Sequence, residues 1–225
     1  MPAPRPAAVL FDMDGTLVDT EHLWWQAAAE LAAELDLTLT DEDLPDVLGR
    51  AVEHTAAHLH RSSRTARPEA DLVERLNESF AAKVEAEIVP RPGALALLAA
   101  LRAADVPTAL VSASPRRVVD LVLAALGPHR FTTTLAAEDT PRTKPAPDPY
   151  LAAAARLGLA PAVCVAVEDT PTGVASARAA GCPVLAVPSA VPIPAAAGTT
   201  VLDSLERADL PLLAALTAPA APAAP

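Results

Sequence analysis

"AAVLFDMDGT", residues 7–16, joins a short apolar run to two aspartates one residue apart, followed by a glycine. The run is too short for a stable helix and reads as a strand buried on both faces. Its C-terminal end carries Asp12 and Asp14. Like charges that close repel, and each loses hydration on burial. The pair therefore needs a compensating metal ion or phosphate chemistry, or else an exposed turn. The rest of the chain decides between them.

Three more segments share the character of the first: "PTALV" (107–111), "AVCVAV" (162–167) and "PVLAV" (183–187), with a further strand around "FTTTLAA" (131–137). Between them lie helical patterns with clear punctuation. "PGALALLAALRAAD" opens on Pro92-Gly93, and "SPRRVVDLVLAALG" has Ser114 as its expected cap and Gly127 at its end. "DPYLAAAARLG" and "TPTGVASARAAG" place a polar cap and a proline in the first turn, then a glycine after the last. Such alternation predicts an α/β fold, a doubly wound parallel sheet with right-handed crossovers and helices on both faces.

One region breaks the alternation. From about 19 to 87 no strand pattern occurs. Trp24, Ala28, Leu31 and Leu35 form one helical stripe, Leu72, Leu76, Phe80 and Val84 another, with helical segments at 41–48 and 52–60 between them. The expected division is an α/β core of 7–18 and 90–216, an inserted all-helical cap of 19–89, and flexible tails at 1–6 and 217–225. An insert leaving the C-terminal end of a strand overhangs the edge where open α/β sheets bind ligands.

Composition narrows the class. Of 225 residues 52% are hydrophobic but only 3% aromatic, so the core is aliphatic. The net charge of −11 argues against a general partner of nucleic acid or of an anionic membrane. No apolar run reaches transmembrane length, and the N-terminus lacks the pattern of a signal peptide. The two cysteines, Cys164 and Cys182, read as buried free thiols in a reducing compartment. A cytoplasmic protein is the expectation; oligomeric state has no signature here.

The acidic pair has candidate partners at other strand ends. Ser112 and Ser114 follow the second apolar run, Glu168 and Asp169 follow the fourth, and Lys144 lies on the loop after the third. In a parallel sheet these ends converge on one edge. Carboxylates gathered there call for a hard, oxygen-ligated divalent cation, Mg²⁺, and Lys144 with the serine hydroxyls suits a phosphoryl group.

The ordered set "DMDGT" (12–16), "VSAS" (111–114), "KPAPDPY" (144–150) and "VEDTPTG" (167–173) resembles the four motifs of the haloacid dehalogenase (HAD) superfamily. The helical insert resembles the cap of its subgroup containing beta-phosphoglucomutases and small sugar-phosphate phosphatases. The resemblance implies that Asp12 is a nucleophile forming an aspartyl-phosphate and Asp14 the general acid and base. It implies Mg²⁺ held by Asp12, the Asp14 carbonyl and Asp169, with Glu168 direct or one step removed. Ser112 and the Ala113 N–H would bind the phosphoryl group, and Lys144 would bridge it to the nucleophile. The implied activity is that of a Mg²⁺-dependent phosphatase of small phosphorylated metabolites, sugar phosphates among them.

A phosphosugar mutase is the first alternative. The mutase-like cap carries a lysine before its glycine and an arginine shortly after, whereas "VLGRAVEH" (47–54) has Leu48 and Val52 there, with Arg50 out of register. A non-catalytic metabolite-binding protein on the same fold is the alternative from another class. In the helical region, His54 and His58 are read first as solvated helix residues, with substrate contact the better functional reading than a metal site. Trp24 and Trp25 cannot share a helix face, so one packs inside and the other approaches the site. Arg116 and Arg117 are expected in solvent.

Overall fold

The computed structural model describes residues 5–194 and 196–217. Its sheet consists of β1 (Ala8–Phe11), β2 (Thr108–Val111), β3 (Thr133–Leu135), β4 (Cys164–Glu168), β5 (Val184–Ala186) and β6 (Thr199–Val201). All neighbours pair in parallel, in the order β3-β2-β1-β4-β5-β6. β6 has no counterpart in the sequence reading. Its three residues are partly or fully exposed at the sheet edge, so no apolar run announces it.

Alternation along the buried strands feeds two separate cores. Val9 and Phe11 join one cluster with Leu98, Val119 and Leu213, whereas Ala8 and Leu10 join another with Tyr150, Ala153 and Ala177. The helices therefore divide between the faces. On the first lie α5 (Ala94–Ala103), α6 (Arg116–Leu126) and α9 (Leu210–Thr217); on the second lie α7 (Asp148–Arg156) and α8 (Pro171–Ala179). Gly93 opens α5 at φ +83°, where an added Cβ would lie 2.3 Å from the Glu206 backbone nitrogen. Only glycine fits there.

The chain from α1 (Glu21–Glu34) through α2 (Leu44–Val47), α3 (Val52–Ser63) and α4 (Glu69–Ala86) contains no strand. Leu31, Val47, Leu59, Leu72 and Leu76 form a third cluster among these helices. Leu23, Phe80 and Val84, at the sheet-facing ends of α1 and α4, belong instead to the first core. The two chain crossings pair with each other: Asp19 N–H donates to Val89 O at 2.8 Å and Arg91 N–H to Leu17 O at 2.9 Å. The tails expected at 1–6 and 217–225 lie largely outside the described residues. No described helix is long and apolar enough to cross a membrane. Both cysteines are buried and free.

Candidate active site

Strand order reverses between β1 and β4, which opens a crevice beyond their C-terminal ends. Register decides what emerges there. Phe11 pairs with Val167, and the Asp12 N–H continues the ladder to Val167 O at 2.9 Å. Asp12 and Glu168 therefore leave the sheet side by side. Gly15 turns the chain at φ +76°, where a Cβ would lie 2.1 Å from Asp169 Oδ2.

Lys144, only 6% exposed, reaches this point from the loop between β3 and α7. Its Nζ lies 2.5 Å from Asp12 Oδ1 and 2.6 Å from Glu168 Oε1. Tyr150, in the first turn of α7, donates its hydroxyl to the same Glu168 oxygen, and its ring centroid lies 5.2 Å from the ammonium. Burial works against the lysine's charge, but Asp12 and Glu168 outweigh it and raise its pKa. Burial also lifts the Tyr150 phenol well above its ordinary range.

Asp169 completes the group. Thr16 donates to its Oδ1 at 3.2 Å and Ser189 to its Oδ2 at 2.5 Å. Asp12, Glu168 and Asp169 each offer a carboxylate oxygen within 4.8 Å of the others. Asp12 Oδ2 and Glu168 Oε2 are buried without a hydrogen-bond partner. Desolvation, with Asp12 nearby, raises Asp169 well above the carboxylate range; desolvation also lifts Glu168 to about 7 although Lys144 opposes it. Buried, crowded oxygens with unpartnered lone pairs suit a hard divalent cation, so the residues present fit one.

Asp14 stands apart from that cluster of oxygens. Its carboxylate accepts Thr20 Oγ1 at 2.9 Å on one oxygen, and Ser114 Oγ at 2.8 Å and Ser112 Oγ at 3.3 Å on the other. Desolvation first, then the charge of Asp12, raises its pKa to about 6 against these three donors. That places a proton within reach at near-neutral pH.

The sequence-predicted residues thus converge, with differences of detail. Ser112 is buried, and its hydroxyl also accepts the Ser114 N–H at 2.9 Å. Ala113 and Ser114 line the cavity together with Asp12, whereas the buried Ser112 does not border it. Ser114 does not cap α6. It turns to Asp14, and the Arg116 N–H is taken by the Glu138 carboxylate at 2.9 Å. Arg116 is only partly in solvent, since its guanidinium binds Thr134 and Asp139, whereas Arg117 is exposed as expected. His54 and His58 face Asp46 and Asp43, at 2.7 and 2.8 Å, and do not border the cavity. Trp24 does border it, while Trp25 packs among the helices.

Thr20, Tyr150 and Ser189 escaped the sequence reading. Tyr150 lies inside "KPAPDPY" and was open to notice there; Ser189, on the loop after β5, carries no local signal.

The chain matches the family of haloacid dehalogenase-like hydrolases over residues 6–181. It is 38% identical over 192 residues to hexitol phosphatase A of Escherichia coli (strain K12), covering 81% of this chain and 83% of that protein. It resembles the crystal structure of CbbY from Rhodobacter sphaeroides in complex with phosphate, with a TM-score of 0.79 and 29% identity, covering 90% of this chain and 96% of the other. A variant of that CbbY, crystallised with xylulose-(1,5)bisphosphate, gives a TM-score of 0.78 at 28% identity, with the same coverage of 90% and 96%.

Proposed function

From the premise that the chain belongs to the haloacid dehalogenase-like hydrolases and is a phosphoric monoester hydrolase, we propose a Mg²⁺-dependent, cytoplasmic phosphatase acting through an aspartyl-phosphate on Asp12. Its substrates are small phosphorylated metabolites, sugar phosphates among them, by analogy with the hexitol phosphatase and CbbY relatives. The observation that carries this reading is the Lys144 ammonium wedged between Asp12 and Glu168, with Asp169 beside them, at the inner end of an open cavity.

Asp12, Asp169 and the Asp14 carbonyl would hold the cation, with Glu168 near enough to join them; when bound, it neutralises the carboxylates and draws negative charge from the phosphoryl oxygens. Lys144 fixes one Asp12 oxygen and leaves the other, Oδ2, without a partner. A carboxylate oxygen of Asp12 attacks phosphorus, the bond to the leaving oxygen breaks, and the Asp14 proton passes to that oxygen. A water then attacks the same phosphorus and returns a proton to Asp14, and the Asp12–phosphorus bond breaks to release phosphate. Thr20, Ser112 and Ser114 hold the Asp14 carboxylate in place through both steps. The Ala113 N–H and Lys144 act as the positive surroundings of the transferring group.

The helical segment 19–89 acts as a cap that shuts out bulk water, hinged where residues 19–21 and 89–92 run side by side. Hydrolysis of p-nitrophenyl phosphate with and without Mg²⁺ tests the activity. Rapid acid quench with radiolabelled substrate, followed by peptide mapping, tests the intermediate. Label on the peptide containing Asp12 is expected, absent in Asp12→Asn. Turnover that survives Asp12→Asn overturns the mechanism.

A further inference from the structure

The cavity has a second end, and its chemistry differs from the first. Its volume is about 350 Å³, at the small end for ligand sites. The inner end holds Asp12, Asp14, Asp169 and Lys144, the surroundings of one phosphoryl group. The outer wall comes mostly from the helical segment, including Trp24, the turn Leu48–Glu53, Asn77 and Phe80.

Charge around the cavity is one-sided, with six carboxylates against Arg50 and Lys144. Glu21 and Glu138 border the cavity as well, Glu21 close to Ser189 and Asp169 and Glu138 holding the Arg116 N–H at the start of α6, while the helical segment itself contributes Glu53 and a single cation, Arg50. Arg50 is exposed, and its Nε donates to Pro45 O at 2.8 Å, which ties the guanidinium to its own turn. Glu53 has no ion-pair partner among the described residues, so its charge stands unopposed. A second phosphate placed here would face the unopposed Glu53 and one constrained arginine, with Glu21 and Glu138 adding negative charge elsewhere on the lining.

The neutral part of the wall has features suited to a carbohydrate chain. Trp24 meets Phe80 edge to face, with centroids 5.3 Å apart and planes at 90°. The indole N–H donates to Val47 O at 2.9 Å, so the ring cannot turn freely. Together the rings offer a rigid apolar surface to the C–H groups of a substrate. Asn77 lies one turn before Phe80 on α4, and its side-chain amide makes no hydrogen bond within the described residues. An amide presents two donors and an acceptor, which matches hydroxyl groups that both give and take. Thr172 Oγ1 donates to Gly49 O at 3.3 Å and closes the side of the cavity between α8 and the Leu48–Glu53 turn.

We propose that this outer wall selects phosphate monoesters whose far end is an uncharged, hydroxylated chain, through Asn77 and the Trp24–Phe80 surface, and that Glu53 turns away sugar bisphosphates. The proposal rests on the phosphatase reading above and narrows it: the substrate is a polyol or sugar monophosphate.

The test compares kcat/KM for a hexitol monophosphate, a pentose bisphosphate and p-nitrophenyl phosphate. With the native protein the monophosphate exceeds the bisphosphate by about tenfold or more; equal or reversed values overturn the proposal. Asn77→Leu lowers the ratio of hexitol to aryl phosphate by about tenfold, because hydroxyls lose their partner in a confined site, and Asn77→Gln restores part of it. Glu53→Lys raises the ratio of bisphosphate to monophosphate by about tenfold. Each ratio is internal to one preparation, so a partly misfolded variant does not disturb it. Ratios that stay flat in both Asn77→Leu and Glu53→Lys overturn the proposal while leaving the phosphatase reading intact. No hydrolysis of any of the three esters by the native protein overturns both.

Discussion

Magnesium should stabilise the protein far more at pH 8 than at pH 5, and the buried carboxylates set the size of the difference. The folded-state pKa of Glu168 is raised from 4.5 to about 7, and that of Asp14 from 3.8 to about 6, desolvation being the first cause in each. A raised folded pKa means stability fully present below the unfolded value and lost as pH rises through the folded one. Without a cation these groups therefore weaken the fold between about pH 4 and 7. A divalent ion reverses this only where it does not have to displace a proton. For one group titrating near 7, the proton competes about a hundredfold more strongly at pH 5 than at pH 8. A concentration of MgCl₂ about 100 times the dissociation constant at pH 8 stabilises by about 2.7 kcal/mol there and by about 0.4 kcal/mol at pH 5. In a chain of this size that is a melting shift of about 5–10 °C against about 1–2 °C. Differential scanning calorimetry at fixed ionic strength, using the Mg²⁺-induced shift at each pH, separates this from the protein's other pH dependences. Equal shifts at both values, or a larger one at pH 5, would refute the reasoning.

Ser114→Ala removes a donor that favours the ionised Asp14, so the pKa of Asp14 rises. A charge-assisted bond of about 1.5–3 kcal/mol shared with Ser112 and Thr20 gives a displacement of about one unit. The limb of the kcat–pH profile that reports Asp14 is expected at higher pH; an unmoved limb counts against the assignment. Gly173→Ala puts a Cβ 1.9 Å from Glu168 Oε2, and Lys144 and Tyr150 leave that carboxylate little room to yield. Calorimetric titration should show Mg²⁺ affinity reduced by about tenfold or more, and retained affinity would show that Glu168 does not matter to the cation. Burial pushes the Cys164 thiol up to about 11 and Cys182 to about 12. A disulfide reagent at pH 8 is therefore expected to titrate almost no thiol in the native protein and two per chain after denaturation. Rapid native labelling would contradict the burial.

What was legible in the sequence followed from local, repeating chemistry. Short apolar runs marked four of the strands, because a strand buried on both faces admits nothing else. Their alternation with capped helices implied the parallel sheet, and the stripes of Leu31 and Leu72 marked the helical segment. β6 was invisible because an exposed edge strand of three residues carries no hydrophobic pattern. Ser114 was misread, and Arg116 in part, for a related reason. Their partners, Asp14 and Asp139, are 100 and 23 residues away, and local rules assigned them to a helix cap and to solvent.

The sequence by itself determined which chemical groups stand at strand ends: Asp12 and Asp14, Ser112, Lys144 on its loop, Glu168 and Asp169. Only the tertiary structure decided how they share their oxygens and protons. The register of β1 on β4 puts Asp12 beside Glu168, 156 positions later in the chain, and Lys144 and Tyr150 then both donate to the same Glu168 oxygen. Residue type determines what a side chain can donate or accept. Which partner it finds depends on packing across the fold, and burial then sets how strongly the proton is held.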